Sequence, residues 1–149
     1  MVGTHNSCHQ ASLFTVFIPY WRYTHPSFLV QLEAGLRHIE IDVWFNRSRR
    51  TFEIFHEGID RLSSVQGDLL PVLQDIYEWS VRTDAHFPLC INLDIKGAYG
   101  GFPFKYFRYP NLNKNDQDTS VFHTLEAAIR SVWIDPARLF SPGTNNQTF

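Results

Sequence analysis

Gly35-Leu36-Arg37-His38-Ile39-Glu40-Ile41-Asp42-Val43-Trp44 sets two carboxylates inside an otherwise apolar, β-branched run. Ile39, Ile41 and Val43 alternate with Glu40, Asp42 and Trp44, and this period of two reads as a strand on which Glu40 and Asp42 share a face. Two neighbouring carboxylates raise each other's pKa unless a cation lies between them, and oxygen ligands at this spacing suit a hard ion such as calcium or magnesium. A lone Glu-x-Asp is more readily explained by one solvent-facing carboxylate and one ion pair to an arginine. The company the pair keeps decides between the two readings.

Towards the N-terminus, Thr24-His25-Pro26 opens a predicted helix, with Phe28, Leu29, Leu32 and Leu36 at helical spacing and Gly35 near its end. Before it, Leu13 to Tyr23 is apolar and aromatic, broken by Pro19, and reads as an irregular covering segment. Val2-Gly3-Thr4-His5-Asn6-Ser7 reads as the last residues of a strand running into polar groups, with Gly3 allowing a close backbone approach.

Towards the C-terminus, Asn46 to Arg50 is a polar, basic turn, and Thr51 to His56 alternates as a second strand that delivers His56-Glu57-Gly58 at its end. Asp68 is placed to cap a helix from Leu69 to Val81, where Pro71 is tolerated in the first turn. Pro88 opens a third strand, Leu89 to Lys96, with Asp94 and Lys96 on one face. Gly97 to Gln117 has no period and reads as a functional or mobile loop. Phe122 to Trp133 is an amphipathic helix, and Arg138-Leu139-Phe140 is a candidate for one more strand.

This alternation of strands and helices predicts an α/β fold with a largely parallel sheet. The polar residues concentrate at strand C-terminal ends: His5 and Asn6, then Glu40 and Asp42, then His56, then Asp94 and Lys96. That is the layout of a (β/α)8 barrel, which usually takes about 250 residues. The 149 residues therefore predict the N-terminal half of a TIM-type barrel, open and truncated, with 1–149 as a partial catalytic domain. Four strands of such a sheet would leave an edge free and Ile39, Ile41 and Leu93 short of covering side chains, so association or loose packing is expected.

Composition narrows the function. With 44% hydrophobic and 15% aromatic residues the chain can bury a real core, and its net charge of −2 gives no electrostatic footprint for nucleic acid and no polybasic membrane anchor. Cys8 and Cys90 are too few for a disulfide framework, and no run is long enough for a transmembrane helix. The sequons Asn46-Arg47-Ser48 and Asn146-Gln147-Thr148 would accept glycosylation in a secreted protein. The compartment stays open, a secreted or membrane-peripheral place being compatible with them.

Taken in order, the motifs resemble those of the calcium-dependent phosphatidylinositol-specific phospholipase C family, in its single-domain form. Gly3-Thr4-His5-Asn6-Ser7 is similar to the family's first-strand signature, although Cys8 stands where a tyrosine is usual. His25-Pro26, Leu32, Ala34-Gly35 and Glu40-Ile41-Asp42-Val43 resemble its second motif. His56 matches the second histidine, Gly58-Ile59-Asp60 the segment after it, and Trp79-Ser80 with His86-Phe87-Pro88-Leu89 the approach to the fourth strand. The resemblance implies a TIM barrel, a phospholipid substrate at a membrane surface, and calcium held by Asn6, Glu40, Asp42 and Asp94. It further implies that His5 and His56 flank the phosphate, that Lys96 contacts it, and that Glu40 or Asp42 serves as general base.

Two rivals stand beside this reading. Glycerophosphodiester phosphodiesterases share a Glu-x-Asp pair and two histidines on the same barrel, but their first motif is normally His-Arg-Gly where this chain has His5-Asn6-Ser7. A non-catalytic, truncated lipid-binding remnant is the other. Taken singly, His5 reads as a structural histidine, Asn6 as a turn former, and Asp94 with Lys96 as a plain ion pair; His9, His38 and His123 are read as structural.

Overall fold

A computed structural model of the chain describes residues 2–11, 19–56, 67–83, 85–100, 105–108 and 120–134. A short strand β1 (Gly3–Thr4) lies parallel to β2 (His38–Asn46), with Gly3 opposite His38. A Cβ at Gly3 would stand 2.7 Å from both the Cβ and the carbonyl oxygen of His38, so glycine is what lets these strands meet. The other neighbours of β2 are β4 (Cys90–Gly100), parallel, and β3 (Thr51–Ile54), antiparallel. The far end of β4 pairs antiparallel with β5 (Lys105–Arg108), giving the order β1-β2-β4-β5 with β3 attached to β2.

The sheet is thus mixed, where the sequence predicted one largely parallel. β3 returns on β2 because the turn between Asn46 and Thr51 is far too short for the crossover that a parallel pair requires. β4 continues through Gly97 to Gly100, into the stretch read as loop, because β5 folds back onto it. The parallel strands β1, β2 and β4 nonetheless lie side by side in chain order.

Helices fill the crossovers. Between β1 and β2, α1 (Phe28–Glu33) begins after Ser27 rather than at Thr24, since the first helical bond runs from Gln31 N to Ser27 O. It ends in a Schellman motif: Leu36 N donates to Gln31 O, Gly35 N donates to Leu32 O, and Gly35 takes φ 92°, a left-handed conformation that suits glycine. Between β3 and β4, α2 (Leu69–Arg82) begins at Asp68 as expected, but the Asp68 carboxylate makes no cap and instead binds Arg49. α3 (Ser120–Val132) packs on α2, with Val121, Leu125 and Val132 buried.

Ile39, Ile41, Val43 and Phe45 of β2 are buried in one cluster with Leu32 of α1 and Leu73, Ile76 and Trp79 of α2. The expectation that Ile39 and Ile41 lie uncovered is therefore wrong: both are fully buried, because the odd-numbered face of β2 meets the helices. The other face carries Glu40, Asp42 and Trp44, the last stacked on Phe55 at 5.4 Å between ring centroids. No helix among the described residues is long and apolar enough to cross a membrane. Gly58-Ile59-Asp60, Arg138-Leu139-Phe140, Asn146 and most of 97–117 lie outside the described residues.

Candidate functional site

The parallel register of β2 and β4 sets Asp42 directly opposite Asp94, and Glu40 lies two residues before Asp42 on the same face. Glu40, Asp42 and Asp94 each offer a carboxylate oxygen within 4.8 Å of the others. That spacing is what a hard cation with oxygen bonds of about 2.3–2.6 Å can span.

A turn after β1 brings the next two residues. His5 Nε2 stands 3.4 Å from Glu40 Oε2, its side chain 78% exposed, while Asn6 donates its backbone N–H to the same oxygen at 3.3 Å. Asn6 has φ 48°, a left-handed backbone that asparagine tolerates better than most residues. Its Nδ2 donates to Tyr23 Oη at 3.1 Å, and its Oδ1 is buried without a hydrogen-bond partner. An amide oxygen left this way is costly unless something else binds it.

Gln31 of α1 holds that turn. Its Nε2 donates to Ser7 O and Pro26 O, each at 2.8 Å, and its Oε1 accepts from Thr4 Oγ1 at 2.7 Å. Ser7 Oγ in turn lies 2.6 Å from Thr4 Oγ1 and accepts the Glu40 backbone N–H at 3.0 Å. Ser7 Oγ also donates to Thr4 O at 3.0 Å, so these hydroxyls, Gln31 and the Glu40 backbone form one network that positions the first-strand turn and the acidic strand together.

Lys96 is drawn into the carboxylates. Its Nζ lies 2.9 Å from Asp42 Oδ1 and 2.6 Å from Asp94 Oδ2. Burial raises the pKa of Asp42, a tendency that hydrogen bonding and charge from Lys96, then charge from His56, oppose and that Glu40 reinforces. For Lys96, burial works against the charged form, but the hydrogen bonds to Asp94 and Asp42 outweigh it and its pKa is raised. Lys96 is thus an ion-pair partner of Asp42 and Asp94.

His56, just past β3, is near enough for its charge to act on Asp42, and its ring lies 5.4 Å from that of Trp21 and 6.0 Å from that of His9. His9 also lies 4.4 Å from Tyr23. His9 reads from the sequence as structural, and no motif there marks Trp21, Tyr23 or Gln31. Trp21 and Tyr23 belong to a stretch without period, and a buried glutamine on a helix gives no signal until its partners are known. Cys8 also borders the site, with Sγ 3.9 Å from Asp42 Oδ2. The expectation for Asn46 as a glycosylation acceptor changes: it is 5% exposed, donates Nδ2 to Glu53 at 2.8 Å and accepts from the Ser48 and Arg49 amides.

No family model, characterised protein or solved structure matches the chain.

Proposed function

We propose that the chain carries the site of a calcium-assisted phosphodiesterase of phospholipase C type, acting on phosphatidylinositol-type lipid at a membrane surface. The products would be diacylglycerol and a cyclic inositol phosphate. What supports this reading is the convergence of Glu40, Asp42 and Asp94 within 4.8 Å, with Asn6 donating its backbone N–H to Glu40 and holding a buried side-chain oxygen that lacks a hydrogen-bond partner. On the same reading β1, β2 and β4, with α1 and α2 in their crossovers, are the first parallel units of a (β/α)8-type barrel, whose active-site face is built from strand C-terminal ends.

In the proposed reaction the inositol 2-hydroxyl oxygen bonds to phosphorus while the bond from phosphorus to the diacylglycerol oxygen breaks. The hydroxyl proton passes to a carboxylate. Glu40 suits this role better than Asp42, because Asp42 is fully buried against Lys96 whereas Glu40 sits beside exposed His5. His56 gives a proton to the leaving oxygen, and His5 donates to the phosphoryl oxygens as charge develops there. Asn6, Glu40, Asp42 and Asp94 would hold calcium, with Lys96 turning to the phosphate. The ion would supply Lewis acidity, neutralising phosphoryl charge and easing loss of the hydroxyl proton.

Incubation with phosphatidylinositol vesicles and, separately, with glycerophosphocholine, each with calcium or a chelator, tests the reading by phosphorus NMR of the products. Cyclic inositol phosphate formed only from phosphatidylinositol and only with calcium is the expected result. Cleavage of glycerophosphocholine instead would identify a glycerophosphodiesterase, and no turnover of either would leave a binding remnant.

A further inference from the structure

The ladder between β2 and β4 changes register just beyond the acidic pair. Val43 faces Ile95 but Trp44 faces Gly97, so Lys96 is the extra residue of a bulge. Lys96 stands two residues beyond Asp94 on the same face and brings one ammonium to 2.9 Å from Asp42 and 2.6 Å from Asp94, two of the three clustered carboxylates. Asn6 gives an independent sign that this cluster is not complete in itself, since its side chain is buried, its Oδ1 has no hydrogen-bond partner, and its backbone N–H reaches Glu40.

We propose that Lys96 is the resident counter-ion of the site and competes with a divalent cation for it. The ammonium lies between Asp42 and Asp94, and calcium enters only as that ammonium withdraws. This rests on the calcium reading above and adds to it a control on the ligands themselves. The same oxygens cannot serve both cations at contact distance, because an ammonium and a dication sharing them repel each other strongly in a partly buried site. Metal binding therefore includes the cost of opening two ion pairs, and the apparent affinity falls by the fraction of time the carboxylates are free. Withdrawal is open to Lys96: its side chain is 21% exposed and its four-carbon stem is flexible.

Calorimetric titration of calcium into the chain, Lys96→Met and Lys96→Arg tests the competition. Lys96→Met is expected to bind calcium at least about tenfold more tightly than the unmodified chain, and Lys96→Arg no more tightly. Lys96→Met also strips the buried Asp42 of its nearest cation, so thermal melting by circular dichroism accompanies the titration. Calcium should raise the Tm of Lys96→Met by more than that of the unmodified chain, including by refolding a variant that is unfolded in chelator. Equal or weaker binding by Lys96→Met, with no larger rise in Tm, overturns the competition while leaving the calcium reading intact if the unmodified chain still binds. Absence of calcium heat and of any Tm change in all three proteins overturns both.

Discussion

Two charge clusters hang on β2, and they are built differently. Near the β2–β3 turn, Arg49 reaches Glu53 at 3.0 Å and Asp68 at 2.7 Å, while Asn46 donates to Glu53 at 2.8 Å. A guanidinium fork has donors for both carboxylates, and the result ties the turn to the start of α2. In the other cluster Asp42 and Asp94 share the single ammonium of Lys96, and the largely exposed His5 stands beside Glu40. There burial raises the pKa of Asp42 despite the lysine. The first cluster closes its own hydrogen bonds and serves as a clip; the second keeps surplus negative charge and an amide oxygen without a donor, which is the arrangement expected of a site that receives a cation.

The largest effect that would sharpen this contrast is expected at Gln31, which positions the acidic side without touching it. Gln31→Met removes three hydrogen bonds and leaves the Ser7 and Pro26 carbonyls short of a donor, so urea unfolding should show a loss of about 3 kcal/mol. Calcium affinity should fall with it, because the turn carrying His5 and Asn6 is no longer fixed. Unchanged calcium binding in a folded Gln31→Met protein would detach that turn from the site.

Smaller, and confined to stability, is the expected effect on the clip. Glu53→Ala removes the carboxylate that accepts from the buried Asn46 Nδ2 and should cost about 1–3 kcal/mol while leaving the calcium titration unaltered. A change in calcium affinity there would erase the distinction between the clusters.

The smallest effect has a sign set by pH. The folded pKa of Asp42 is raised, chiefly by burial, so the folded protein holds that proton more tightly than the unfolded chain. Its contribution to stability is full below the ordinary carboxyl pKa and is lost as pH rises through the raised value. Asp42→Asn removes this dependence, so in chelator the variant should gain stability relative to the unmodified chain as pH rises from about 4 towards 7. Lys96 does not interfere, since its raised pKa affects stability only at strongly alkaline pH. A stability difference that is flat across this range would show that Asp42 bears no burial cost.

How far the sequence was legible follows the same division. Strong periods located β2, α2 and α3 to within a few residues, and the shared face of Glu40 and Asp42 follows from alternation alone. The pairing of Asp42 with Asp94 needed the parallel register, which no local pattern encodes. Antiparallel β3 and the reach of β4 to Gly100 were missed because strand direction is set by tertiary pairing, although the short turn after Asn46 was a usable signal. The ion pair of Lys96 with Asp94 was legible from their shared face, but the reach of Lys96 to Asp42 depends on the β2–β4 register and has no local mark. The clip escaped notice because Asp68 sits where a helix cap belongs and its partner Arg49 lies in a basic turn with nothing local to name its acidic partner.

Backbone amide NMR during a calcium titration compares the two clusters within one experiment. Resonances of Asn6, Glu40, Asp42, Asp94 and Lys96 are expected to move together and saturate in the submillimolar to millimolar range typical of weak calcium sites, while those of Glu53 and Asp68 stay still. Movement at Glu53 and Asp68 with none at Glu40, Asp42 and Asp94 would contradict the assignment of the cation to the β2–β4 carboxylates.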